Sequence, residues 1–208
     1  MTEDPDVEVV RTGYDALSLR YRADDADEGR YGPWLAGLRE RLAPGSAVLD
    51  VGCGCGVPVA RALAAAGHRV TGIDLSAVQV ERARRLVPSG TFFLADARAA
   101  DFPAASFDAI VCLYSLIHVP LGEQPGLIGR IGRWLRPGGW LLATVGQQAW
   151  TGTATGWLGG EAAMFWSHAD AETYARWITD AGLEIAEQGF VPEGDAGHAL
   201  FWARKPAA

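Results

Sequence analysis

The sequence predicts an α/β fold: an open, mostly parallel sheet with helices on both faces, ending in an antiparallel pair. Three observations predict it. From residue 47 onward, short runs nearly continuous in Val, Ile and Leu alternate with amphipathic stretches, as strands covered on both faces require. Each strand–helix–strand step is long enough for a right-handed crossover. Near the end of the chain the rhythm changes, because two β-like runs flank the acidic turn "EGDAG" and a hairpin is antiparallel by construction.

The elements follow in order. Residues 8–45 hold two helices, the second around "PWLAGLRERLA", with Pro33 in its first turn and Gly45 beyond its end. "AVLDVG" is the first strand, and "VPVARALAAAG" a helix closed by Gly67, where a left-handed cap belongs. "RVTGIDL" is the second strand. Ser76 then caps the helix "SAVQVERARRLV", which Pro88 ends. "TFFLADA" and "FDAIVCLYS" are strands, followed by a helix over 122–135 and the strand "GWLLATVG". "HADAETYARWITDAG" is a helix closed by Gly182, and "EIAEQGFVP" and "HALFWARK" form the hairpin.

Composition narrows the function. A chain of 208 residues, 49% apolar, makes one domain with a full core and needs neither disulfides nor metal. The net charge of −7 opposes a nucleic-acid binder, which requires a basic stripe. No apolar run is long enough to span a membrane, and the start "MTEDPDVEVV" is acidic, unlike a signal peptide. Three cysteines make no disulfide framework, and Cys53 and Cys55 lack a second Cys/His pair nearby, so no metal is expected. The expectation is a cytoplasmic protein with no nucleic-acid or membrane partner.

The stretch "LDVGCGCGVPVA" carries the first chemical signal. Gly52, Gly54 and Gly56 follow a strand and open a helix, so backbone approaches a ligand closely with free N–H groups. The spacing is G-x-G-x-G, not the dinucleotide G-x-G-x-x-G. Asp50 at the strand end is awkward beside a pyrophosphate but welcome beside an ammonium group. Asp74, at the tip of the second strand, is placed to accept from two vicinal ribose hydroxyls. Asp96 ends the third strand, where a carboxylate can meet an adenine amino group. Three carboxylates at three neighbouring strand ends line one crevice.

These segments, taken in order with "WLRPGGWLLATVG" and with "YDALSLRY" ahead of the sheet, resemble class I S-adenosylmethionine (SAM)-dependent methyltransferases of the small-molecule type. The resemblance implies a Rossmann-like three-layer sandwich, a seven-stranded sheet of order 3-2-1-4-5-7-6 with strand 7 antiparallel. It implies SAM as cofactor. By the same resemblance Gly52, Gly54 and Gly56 cradle the methionine portion close to Asp50, and Asp74 holds the ribose. Leu75 lies against the adenine, Asp96 and the backbone of Ala97 face its edge, and Leu113 and Ser115 lie beside the sulfonium. Tyr14 and Tyr21 cap the cofactor from the N-terminal helical segment, residues 1–45.

Methyl transfer to O, N or S is an in-line displacement in which a base is useful but not obligatory. His118, after the fourth strand, and His168, before the last long helix, are the candidate bases, with His168 preferred; His68 and His198 read as structural. Residues 147–168, "QQAWTGTATGWLGGEAAMFWSH", read as a substrate lid in which Trp150, Trp157, Met164, Phe165 and Trp166 face a small, largely apolar or aromatic acceptor. The whole chain reads as one SAM-dependent methyltransferase domain, monomeric or homodimeric. The alternative is an enzyme that binds SAM on the same fold and catalyses a cyclisation or rearrangement without methylating.

Overall fold

In the computed structural model, residues 4–207 are described. Two N-terminal helices, α1 (Pro5–Tyr21) and α2 (Gly32–Arg41), precede the alternating region. There β1 (Ala47–Val51), α3 (Val59–Ala65), β2 (Arg69–Asp74), α4 (Ala77–Leu86), β3 (Thr91–Leu94) and β4 (Phe107–Cys112) follow. Then come α5 (Gln124–Trp134), β5 (Leu135–Gly146), β6 (Trp150–Ala154), β7 (Met164–His168), α6 (Ala171–Asp180), β8 (Glu184–Glu193) and β9 (Ala196–Arg204).

The main sheet has seven strands in the order β3-β2-β1-β4-β5-β9-β8. Strands β1 to β5 pair in parallel, and β9 runs antiparallel to both β5 and β8. Because β6 and β7 stand outside it, β8 and β9 are its sixth and seventh strands, and the order is the expected one. β1 is buried after its first residue, and β4 is buried throughout except at Asp108, because helices cover both faces. On one face Leu127, Ile131 and Trp134 of α5 pack with Tyr174 and Ile178 of α6. On the other, Leu35 and Leu38 of α2 pack with Leu63 of α3 and Val80 of α4.

Local caps set the boundaries. The Ser76 side chain accepts from the Gln79 N–H to open α4, and Gly67 and Gly182 take the positive φ that ends α3 and α6. Helix α2 ends instead at an extended Leu42, and Gly45 turns the chain three residues later. The last long helix starts later than "HADAETYARWITDAG" suggests: Asp170, two residues after His168, is the N-cap, and it accepts from the Thr173 N–H at 2.8 Å. Strand β5 starts earlier, at Leu135, which pairs with Phe107; the register then shifts, with Gly138 at positive φ, before Trp140 pairs with Ala109.

Residues 147–168 are more ordered than a glycine-rich loop. Trp150–Ala154 and Met164–His168 pair as an antiparallel ribbon, and Met164 and Phe165 pack on Val10 of α1. That contact is tight: a Cβ on Gly13 of α1 would lie 2.8 Å from both the Ala163 carbonyl and the Met164 methyl. No helix among the described residues is long and apolar enough to cross a membrane.

Candidate active site

The carboxyl ends of β1, β2 and β4 meet under α1. At the end of β1 the chain turns sharply at Gly52, whose N–H, with that of Cys53, donates back to the Ile73 carbonyl of β2. Gly52, Gly54 and Gly56 all have positive φ. At Gly52 the close approach is the stronger constraint, because a Cβ there would lie 2.3 Å from the Ser115 Cβ. Ser115 is fixed below it, donating to the Val51 carbonyl at 2.7 Å and lying 3.0 Å from the Cys112 sulfur.

The first two acidic residues behave differently from surface carboxylates. Asp50 is buried, its Oδ2 has no hydrogen-bond partner, and burial followed by the nearby Asp74 raises its pKa to about 7. Asp74 accepts from the N–H groups of Gly54 (2.8 Å) and Ser76 (2.9 Å). Those bonds offset only part of its burial, and its pKa is raised to about 6. Asp96 has a partner that its sequence position did not announce: Arg98 donates to it from its backbone, at 2.8 Å, and from its guanidinium. The same Arg98 reaches Asp4 and Glu123, tying the start of α1 to the third strand's end.

Three narrow cavities join at Gly52 into one cleft. One end is lined by Leu75, Asp96 and Ala97, the middle by Tyr14, Leu113 and Ser115, and the other end by Asp50, Gly54 and Arg22. That last end holds two buried, unpartnered polar atoms of opposite character, Asp50 Oδ2 and Arg22 Nε. They suit the ammonium and the carboxylate of a zwitterionic α-amino acid. The donor set therefore fits SAM: an amino-acid end at Asp50 and Arg22, vicinal hydroxyls at Asp74, and an apolar slot at Leu75. Arg22 escaped the sequence reading because nothing local marks it; the turn after α1 brings it to the cleft.

Beside the cleft lies a wider cavity of about 430 Å³. Tyr14, Tyr21, Tyr114 and His118 belong to the walls of both. Trp157 and Trp166 close the cavity from the ribbon side, their rings edge-on at 5.8 Å. Met164 and Phe165 are buried in the ribbon's contact with α1, and Trp150 is 48% exposed and stacks obliquely on Trp166. Arg30 and Glu193, which the sequence did not single out, complete the outer wall together with His198, which the sequence reads as structural.

The two candidate histidines separate. His118 lies at the junction of cleft and cavity. Its Nδ1 donates to the Phe165 carbonyl at 2.7 Å, so its Nε2 carries the lone pair that accepts from the Tyr14 hydroxyl at 2.9 Å. Burial pushes its pKa down to about 4, so it is neutral at ordinary pH. His168 lines neither space: its Nδ1 donates to the Gln148 carbonyl at 2.7 Å across the ribbon's open end. The residue preferred from sequence is therefore the one farther from the shared wall.

Comparison with known proteins agrees with this geometry. The family model for a methyltransferase domain matches residues 48–139. The ubiquinone biosynthesis O-methyltransferase of Methylocella silvestris is 30% identical over 184 residues, covering 85% of this chain and 68% of its own. Methyltransferase GfsG of Streptomyces halstedii is 32% identical over 211 residues, covering 86% and 74%. Among solved structures, the 1,6-didemethyltoxoflavin-N1-methyltransferase of Burkholderia thailandensis, with S-adenosylhomocysteine bound, superposes with a TM-score of 0.72 at 24% identity, covering 96% of this chain and 88% of that one.

Proposed function

The chain belongs to the SAM-dependent methyltransferase family, and from that premise we propose that it methylates O, N or S of a small, largely apolar or aromatic acceptor. One observation carries the acceptor assignment: the cofactor cleft and the aromatic cavity share the wall made by Tyr14, Tyr21, Tyr114 and His118. The relative named as an O-methyltransferase of ubiquinone biosynthesis supports a small acceptor.

When bound, SAM supplies a methyl group made electrophilic by its sulfonium. The residues do the rest by holding and orienting. Asp50 takes the ammonium and Arg22 the carboxylate of the methionine portion, while Gly52, Gly54 and Gly56 let the backbone close on it. Asp74 accepts from the ribose, Leu75 covers the adenine, and Asp96 with the Ala97 backbone faces the adenine edge. Leu113 and Ser115 flank the sulfonium, and Tyr14 and Tyr21 roof it. Trp157 and Trp166 hold the acceptor, Trp150 extends the face of Trp166, and Met164 and Phe165 fasten the lid to α1. Such positioning lowers a bimolecular barrier by about 7–11 kcal/mol without any proton transfer.

Both ring nitrogens of His118 are engaged, which supports a positioning role: it fixes the Tyr14 hydroxyl at the shared wall. His168 in this reading anchors the lid through Gln148. The setting we propose is cytoplasmic, with the protein a monomer or homodimer and no nucleic-acid or membrane partner, in keeping with the charge of −7.

The test uses SAM labelled on its methyl group, incubated with the protein and a small-molecule extract of the source cells. Label in a new small product, with S-adenosylhomocysteine formed in equal amount, is the expected result. Turnover of a substrate without S-adenosylhomocysteine would replace this reading with a non-methylating one.

A further inference from the structure

The acceptor cavity has a second histidine whose surroundings differ from those of His118. His198, the third residue of β9, pairs in register with Gly146 of β5 and Val191 of β8, and lines the cavity. Its Nε2 lies 2.9 Å from the Glu193 carboxylate, five residues earlier on the other arm of the hairpin. A carboxylate only accepts, so it fixes the proton on Nε2 and leaves the lone pair on Nδ1. That Nδ1 is buried and has no partner. His118 offers no such site, because its lone pair already accepts from Tyr14.

The charges around His198 have a consistent sense. Glu193 faces it from β8, the Tyr114 ring stands edge-on at 5.1 Å, and Arg30 reaches the Tyr114 hydroxyl at 3.4 Å. His118 and His168 lie within electrostatic reach. Arg22 and Arg30, both in the cavity wall, have no carboxylate within ion-pair distance among the described residues. With Arg22 given to the cofactor carboxylate, a cavity that keeps a carboxylate-backed imidazole and the Arg30 guanidinium favours an acceptor that loses a proton and becomes anionic.

We propose that His198, oriented by Glu193, is the general base of the reaction, and that the acceptor atom is the oxygen of a weakly acidic hydroxyl, phenolic or enolic. A neutral amine attacks through its own lone pair and sheds its proton afterwards, whereas a hydroxyl must lose its proton as it attacks. In the step the acceptor oxygen bonds to the methyl carbon, the carbon–sulfur pair stays on sulfur, and the hydroxyl proton passes to Nδ1 of His198. The resulting imidazolium is held by Glu193.

This rests on the methyl-transfer reading above, and its test does not depend on turnover. 4-Nitrophenol, whose ionised form absorbs visible light, is titrated into the complex of the protein with S-adenosylhomocysteine. The bound phenol is expected to be about tenfold more ionised than the free phenol at the same pH. H198Q keeps a donor toward Glu193 but has no base, and it should abolish the excess ionisation while S-adenosylhomocysteine affinity is retained; E193Q should reduce it. Equal ionisation in H198Q, loss of ionisation in H118Q instead, or failure of the phenol to bind would each overturn the proposal. Release of label from methyl-labelled SAM is read separately. Its absence with an intact, His198-dependent ionisation would sink the transferase reading and leave the base standing.

Discussion

Replacing Asp50 by Asn should make the free protein more stable and its cofactor complex weaker. Asp50 sits at the end of the central strand pair, buried, with Oδ2 unpartnered. Burial and the neighbouring Asp74 raise its pKa from 3.8 to about 7. Below about pH 3 the carboxyl is neutral in the folded chain and largely so in the unfolded one, and its charge costs almost nothing. As pH rises toward 7 the unfolded chain ionises first, so folded stability is lost across that window. Three pKa units at about 1.36 kcal/mol each set the loss at about 4 kcal/mol. The amide should recover up to that amount near pH 8 and almost none below about pH 3, read by urea denaturation. The cofactor ammonium reverses the sign: a charged hydrogen bond of about 1.5–3 kcal/mol goes with it, so D50N should bind S-adenosylhomocysteine about 10–150-fold more weakly. In the wild type, affinity should rise with pH up to about 7, with proton release seen by calorimetry in buffers of different ionisation enthalpy. A D50N protein less stable than wild type near pH 8, or one binding as tightly, would refute the reasoning.

Three further outcomes are expected. Gly52→Ala sets a methyl 2.3 Å from the Ser115 Cβ and at φ +71°; left-handed strain and overpacking together should cost about 2–5 kcal/mol, seen as a lower denaturation midpoint and loss of S-adenosylhomocysteine binding. Tyr14→Phe removes the donor to buried His118 Nε2 and should cost about 1–3 kcal/mol, a fall of about 2–12 °C in Tm by calorimetry. Trp166→Ala opens one wall of the acceptor cavity; acceptor KM should rise about tenfold or more while SAM affinity, measured by titration, stays within about twofold. Equal damage to both would place Trp166 at the cofactor instead.

What the sequence made legible is what local pattern and burial decide together. The Val/Ile/Leu runs of β1 and β4, the loop glycines and the hairpin around Glu193 are readable because each constraint acts within a few residues. The ribbon was not. Its strands are five residues each, one interrupted by Gly152, and glycine with threonine between tryptophans reads as loop until tertiary contact with α1 fixes Met164 and Phe165. The histidines show the limit more clearly. His198 lies near the start of a strand and carries no local mark, and its meaning comes from register: the hairpin returns Glu193 to its Nε2, and β5 carries it to the sheet's carboxyl edge. His168 has the better sequence position, just ahead of a helix, yet the ribbon turns it toward Gln148. Arg22 and Arg98 likewise act across segments far apart in the chain, where no periodicity speaks for them.

The packing of Gly13 against Ala163 and Met164 leaves no slack between the helix over the cleft and the ribbon over the cavity. A displacement of either one therefore presses on the other, which couples the roof of the cleft to the wall of the cavity. A saturating acceptor should slow the exchange of bound S-adenosylhomocysteine, even though the two molecules touch different residues.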